Sequence, residues 1–297
     1  MALNLEPHEP NLDPNAYVWF LYGREGIGKT VTLAGWPDIY IIATEPGAKG
    51  LRWYGEEVGD WEAFVSVVTA LEKSPGEFKT VGIDTVDLAY QMALRHTCDR
   101  LNIAYPGTSS TGKEDYGKSW NQVYTAFTEE INRIARTGRG LVFTSHAKEV
   151  DLVNRLGSKY TRVVPTITGQ ARRVVDAMVD IGLYAEYFKD ASGTVYRLWM
   201  CHGDDMVWAK TRKIPDGTFP MLVPLMEEGG ADILLEAFRG EHPGVDPVGL
   251  MATKETSKGG ATLVGKAQVK SRAQPKSKPK AAAKRPARKK PAAKKRR

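Results

Sequence analysis

The sequence predicts an α/β fold: a mainly parallel sheet covered by helices on both faces, with antiparallel strands added late. Three observations carry this. Short apolar runs alternate with segments of helical spacing from Tyr17 to about residue 177. The first run opens into a glycine-rich loop and then into helix-compatible residues. Three apolar runs between 179 and 212 follow one another with no helical segment between them.

In order, YVWFLYG (17–23) is rich in aromatic and β-branched residues and reads as a buried strand, and a helix starts near Lys29. DIYIIATE (38–45) is the second strand. Trp61, Phe64, Val65, Val68 and Leu71 have helical spacing, and Ser74-Pro75-Gly76 ends that helix. FKTVGID (78–84) is the third strand, with a helix over 86–101. The Gly/Ser/Thr-rich stretch 105–118 reads as a loop, and helical spacing resumes over 116–136 and stops at Gly138. GLVFTSHA (140–147) is the fourth strand, followed by a polar, basic loop to Pro165 and a short helix over 169–177. VDIGLYAEYF, VYRLWMCH and MVWAKTR are consecutive strands, the first two joined by a turn at Asp190-Ala191-Ser192-Gly193. A last short helix covers 231–238.

Composition divides the chain. Of its 42 Lys and Arg, seventeen fall in 252–297 against one acid, Glu255; residues 1–251 therefore carry 25 basic and 34 acidic side chains, net −9 against +16. Three segments are expected: a polar, Pro-rich lead-in arm (1–16), a folded body (17–251), and a disordered Lys/Arg/Ala/Pro-rich tail (252–297) with too few apolar residues to offset the entropy of ordering. The start MALNLEPHEPNLDPNAY lacks the basic-then-apolar pattern of a secretory signal, and no apolar stretch is long enough to span a bilayer. Cys98 and Cys201 are far apart and in no metal-like spacing, which argues against a zinc site or a disulfide framework and for a reducing cytosol.

The most specific feature is Gly23-Arg24-Glu25-Gly26-Ile27-Gly28-Lys29-Thr30, a G-x-x-x-x-G-K-[ST] phosphate loop. Its glycines let backbone N–H groups turn toward phosphate oxygens, and the following helix adds its positive end. Lys29 reaches the β- and γ-phosphates, and the Thr30 hydroxyl ligates Mg²⁺. The ligands read from this loop are ATP and Mg²⁺. Gly107 to Lys113 repeats the G-x-x-x-x-G-K spacing, but Glu114 replaces the hydroxyl and Tyr105-Pro106 replaces the strand, so it reads as a loop.

Other residues cluster by position. Asp84 ends the third strand and is read as the Mg²⁺-linked carboxylate, against a simple helix cap. Glu45 ends the second strand and is the candidate general base, against a solvated loop carboxylate. His146 ends the fourth strand and serves either as a γ-phosphate sensor or as a hydrogen-bonded structural residue. Lys210 and Arg212 share a strand face and either reach a neighbouring subunit's γ-phosphate or lie at a solvated strand end.

The order GREGIGKT, Glu45, TVGIDTVD, FTSHAKEV and KTR resembles the RecA-type P-loop ATPase core, nearest to phage-encoded recombinase and single-strand-annealing ATPases, over about residues 17–212. The resemblance implies a RecA-like ATPase domain over 17–251, in which Glu45 is catalytic, Asp84 holds Mg²⁺ and His146 stands at the sensor place. It implies that Lys210 and Arg212 act across the interface of a ring or filament of like subunits. It also implies two DNA-binding loops, 105–118 and 148–165. The second holds Lys148, Arg155, Lys159, Tyr160 and Arg162, suited to backbone tracking and base stacking.

The expected function is therefore a DNA-dependent ATPase acting on single-stranded DNA in recombination, annealing or repair. Alternatives are a helicase-like, helicase-loading or packaging motor, and a DNA-binding protein whose ATP site is a non-catalytic switch. The tail suits nucleic acid through counterion release. Single-stranded DNA, like subunits and a single-strand-binding protein are the expected partners, no membrane is expected, and a bacterial host cytosol is the expected location.

Overall fold

The computed structural model describes residues 11–245 apart from 75, 168, 191, 212–218 and 226–229. Arg212, most of the expected arm, and the basic tail lie outside the described residues. The chain runs β1 (Val18–Gly23), α1 (Lys29–Ala34), β2 (Ile39–Ala43), β3 (Gly55–Glu57), α2 (Trp61–Lys73), β4 (Thr80–Asp84), α3 (Val86–Leu101), α4 (Lys118–Arg136) and β5 (Gly140–Val153). It continues through β6 (Lys159–Pro165), α5 (Gly169–Met178), β7 (Ile181–Lys189), β8 (Val195–Met200), β9 (Lys210–Thr211), β10 (Leu222–Pro224) and α6 (Asp232–Phe238).

The sheet order is β10-β8-β7-β1-β5-β4-β2-β3, with β6 on β5 and β9 on β7. The run β7-β1-β5-β4-β2-β3 is parallel throughout. β8 is antiparallel to β7, and β10 to β8. Alternation along β1 explains the two cores. Phe20 and Tyr22 join the cluster formed with α2, α3, α4 and α5. Trp19 and Leu21 join the cluster formed with α1 and α6. Helices thus cover both faces, and every residue of β4 is buried, as a central parallel strand requires.

Local chemistry sets the helices that hold the site. Asp60 caps α2 by accepting from the Ala63 amide at 2.8 Å. α4 buries Val123, Phe127, Ile131 and Ile134 along one stripe. Arg139 closes the other end of that layer by donating to the carbonyls of Phe78, Leu71 and Ser74.

Four expectations are corrected. Residues 148–165 are not a loop: β5 continues to Val153 and returns as antiparallel β6. The charges of this stretch hide an alternating pattern, and Asn154 builds its turn by accepting from the amides of Leu156 and Ser158 at 2.9 Å each. Of the strand expected over 206–212, the described residues 206–211 form only the two-residue β9, paired with the start of β7. The short β3 and β10 were not anticipated; only three residues each, they carry too little pattern to show in sequence. Finally, residues 13–16 dock onto the sheet, because Pro14 accepts from the Trp19 indole at 3.0 Å and Asn15 accepts from the Thr80 hydroxyl at 2.6 Å.

Candidate nucleotide-binding site

Parallel register decides which residues meet. Gly23 lies beside His146, Ile83 beside Phe143, and Ala43 beside Asp84. The phosphate loop, His146, Asp84 and Glu45 therefore leave the sheet along one edge, where the carboxyl ends of parallel strands form a crevice. Glu25, Gly26, Gly28, Lys29 and Thr30 line a cavity of about 620 Å³ there, together with Glu45, Gly47 and His146.

The loop takes the expected form. Gly26 and Gly28 have φ of +73° and +116°, backbone that side chains rarely adopt, and a Cβ on Gly28 would meet Leu225 Cδ2 at 2.7 Å. Ile27 anchors the loop as a fully buried side chain. Arg24 points outward and forms long ion pairs with Glu149 and Glu186 at 3.8 and 3.9 Å. With Arg24 and Glu149 well exposed, these contribute about 0–1 kcal/mol.

Lys29 is 5 % exposed. Its ammonium donates to the carbonyls of Gly23 and Arg24 at 3.1 and 2.9 Å. Burial is the largest influence and lowers its pKa, against the pull of Asp84 and Glu45. A desolvated cation held only by neutral carbonyls fits an incoming phosphate. Thr30 donates to Asp84 Oδ2 at 2.8 Å, and Thr144 donates to Asp84 Oδ1. Burial raises the Asp84 pKa despite both hydroxyls. A buried carboxylate touching a hydroxyl beside the phosphate loop fits a divalent cation, with Asp84 and Thr30 as its protein contacts.

Glu45 and His146 meet, with Oε2 and Nε2 3.3 Å apart and side chains 27 % and 31 % exposed. The His146 hydrogen bond is the main reason the Glu45 pKa is lowered, and the Glu45 bond is the main reason the His146 pKa is raised. Both shifts arise from one partly exposed contact, which is an ion pair when His146 is protonated.

Sequence reasoning missed the residues behind these. Thr44 locks the ends of β2 and β4 together: its hydroxyl donates to Thr85 O at 2.9 Å and accepts from the Thr85 amide at 2.8 Å. Thr144 orients Asp84. Asp87, in the first turn of α3, accepts from Thr166 at 2.9 Å. The available signal was a hydroxyl residue one or two positions before two of the three strand-end candidates, in Thr44-Glu45 and Thr144-Ser145-His146.

The other expected residues do not converge here. Lys210 donates to the carbonyls of Asp176 and Val179 at 3.2 and 2.6 Å, capping the end of α5, and pairs beside Gly182 near the start of β7. Its ammonium is thus held by two carbonyls of its own chain. On the β5–β6 hairpin, cross-strand pairing puts Lys148, Tyr160 and Arg162 on one face with Val150, Leu152 and Val164. Lys159 shares the other face with Glu149 and Asp151, and Arg155 sits in the turn. Arg162 also donates to Asp204 O at 3.3 Å. The loop 105–118 contains a bridge between Thr108 and Glu114. No helix among the described residues is long and apolar enough to cross a membrane.

Comparison with known proteins agrees with this architecture. The chain is 25 % identical to the SPbeta prophage-derived uncharacterized protein YorG of Bacillus subtilis (strain 168) over 134 residues, which span 43 % of this chain and 40 % of that protein. The chain thus matches about two fifths of that relative's length. Residues 15–213, from the docked segment before β1 to just past β9, match the AAA domain family. With a phosphate loop on a mainly parallel sheet and that match across most of the described body, the chain belongs to the AAA domain family of P-loop ATPases.

Proposed function

We propose that this protein is a phage-associated, RecA-type ATPase that hydrolyses ATP with Mg²⁺ while assembled on single-stranded DNA, in annealing or recombination. The observation that carries this reading is the Glu45–His146 pair. Glu45 stands at the end of β2 and His146 lies on β5, which runs without a break into the hairpin bearing Lys148, Tyr160 and Arg162. The prophage origin of the similar protein supports the phage association. The tail, at +16, supports a polyanionic partner.

ATP would be held by the phosphate loop and Lys29, and Mg²⁺ by Thr30 and Asp84; when bound, the metal supplies charge neutralisation at the phosphates. Of the cavity carboxylates, Glu45 stands at the end of β2 beside His146, where it would accept the proton of an attacking water. His146 holds that carboxylate ionised and oriented, and links its state to β5. Lys29 provides the fixed positive charge for the developing negative charge.

ATP hydrolysis measured with and without single-stranded DNA, alongside annealing and unwinding assays, tests the reading. Stimulation by DNA with annealing and without unwinding is the expected result. Unwinding or directional movement would make the protein a motor. Annealing unchanged by Glu45→Gln would make the ATP site a non-catalytic switch.

A further inference from the structure

We propose that a second cavity, sharing only Glu45 and His146 with the nucleotide cavity, accepts an unpaired nucleobase of the bound strand. It measures about 690 Å³ and is lined further by α3, α4 and the segment leading into α5. This inference rests on the single-strand reading above and names the place where that strand is read.

Four observations favour a base. First, the rings of Tyr105 and Trp120 stand edge to face at its rim, with centroids 5.4 Å apart, and Tyr105 is 58 % exposed. A free aromatic face at a cavity mouth suits stacking by another flat π system. Second, Asp87 Oδ2 and Gln170 Oε1, on two side chains of this lining, have neither a hydrogen-bond partner nor solvent contact. Orphaned buried acceptors are costly, and if both side chains rotate toward the cavity a ligand carrying N–H donors would satisfy them. Third, the described lining contains two carboxylates and no Lys or Arg, and its one imidazole, His146, is already paired with Glu45, so it disfavours a phosphate and favours the base attached to it.

Fourth, the cavity lies where the two segments expected to touch DNA meet. Tyr105 begins the loop 105–118. Thr166 follows the β5–β6 hairpin directly, and its amide donates to His146 O at 2.8 Å. A base seated here would touch Glu45 and His146, which also line the nucleotide cavity. The exocyclic amino groups of adenine and cytosine carry two N–H donors for two acceptors, whereas thymine has a single ring N–H. The cavity should therefore prefer amino-bearing bases.

The test is fluorescence anisotropy with dye-labelled dA, dC and dT homopolymers on the full chain, with Mg²⁺ and a non-hydrolysable ATP analogue at fixed salt. The tail's contribution does not read sequence, and the part of any difference between homopolymers that is lost in Gln170→Leu isolates the cavity from the hairpin. The decisive comparison is dC against dT, because dA stacks on itself. We expect dC to bind about two- to tenfold tighter than dT, the worth of one added hydrogen bond. Gln170→Leu should erase that preference while leaving dT binding in place. Tyr105→Ala, at an exposed position, should weaken all three by about fivefold or more. Melting curves followed by circular dichroism check that both variants are folded. Equal binding of dC and dT by the wild type, with Tyr105→Ala unchanged, would overturn the cavity assignment and leave single-strand binding standing. No binding to any homopolymer would overturn the single-strand reading itself, and the cavity assignment with it.

Discussion

Replacing Asp84 by asparagine separates metal holding from packing beside the phosphate loop. Asp84 is 2 % exposed and accepts from the hydroxyls of Thr30 and Thr144. The amide has the same shape; its oxygen still accepts from Thr144, and its nitrogen donates to Thr30 Oγ1. Burial raises the folded-state pKa of Asp84 above its ordinary value of 3.8. A raised pKa contributes stability only below the unfolded value and loses it as pH rises, so at neutral pH the charged carboxylate is a cost that asparagine removes. Proximity to Lys29 offsets part of that cost. Without ligand the variant should therefore be as stable as the wild type, within about 1 kcal/mol. With Mg²⁺ and ATP at about a hundred times Kd, the wild type gains about 2.7 kcal/mol, which raises Tm by roughly 5–11 °C. In the variant the magnesium-dependent part of that rise should vanish, so that thermal shifts with ATP plus Mg²⁺ and with ATP plus EDTA coincide. A ligand-free variant melting far below the wild type, or a retained magnesium-dependent rise, would refute the assignment of Asp84.

Glu45→Gln should abolish ATP hydrolysis while preserving binding of a fluorescent ATP analogue; persistent hydrolysis would exclude Glu45 as the base. The Glu45–His146 pair should exist in a pH window bounded below by a Glu45 pKa under 4.5 and above by a His146 pKa over 6.5. Its contribution to stability is lost as pH falls through the first or rises through the second. NMR titration should find the His146 midpoint above 6.5, and lower in Glu45→Gln. Gly28→Ala, at φ +116° with a Cβ 2.7 Å from Leu225 Cδ2, should cost about 1–3 kcal/mol by denaturant melting and weaken ATP binding. Arg139→Ala removes three bonds to carbonyls at the ends of α2 and β4 and should lower stability by about 3 kcal/mol with no change in nucleotide affinity.

The parts of this protein that are local in sequence were legible there. The phosphate loop is one unbroken motif, and α2 and α3 follow apolar spacing and capping chemistry over a few turns. That Asp84 and Glu45 lie near the phosphate loop was legible because strand ends in a parallel sheet converge on one crevice, a rule needing only the strands themselves. What stayed hidden depends on register or distant contact. Thr144 reaches Asp84 from sixty residues away, and Thr44 meets Thr85 from forty-one. The hairpin over 148–165 was masked by its charges, since strand propensity reflects the surface on which a strand lies as much as its composition. Lys210 looked free because the α5 carbonyls that hold it belong to another stretch of chain.

One strand, β5, runs from the buried centre of the sheet past His146 to the turn of the hairpin. From His146 to Val153 it advances seven residues, roughly 23 Å at 3.3 Å each. Braced by β6, this length would carry any tilt at His146 out toward the turn. A tilt of about 5° imposed at His146 moves the far end by about 2 Å, which is enough to make or break a hydrogen bond there. Under the proposed function, sub-ångström adjustments around a small ligand would become displacements on the scale of a side-chain contact at Arg155 and Leu156.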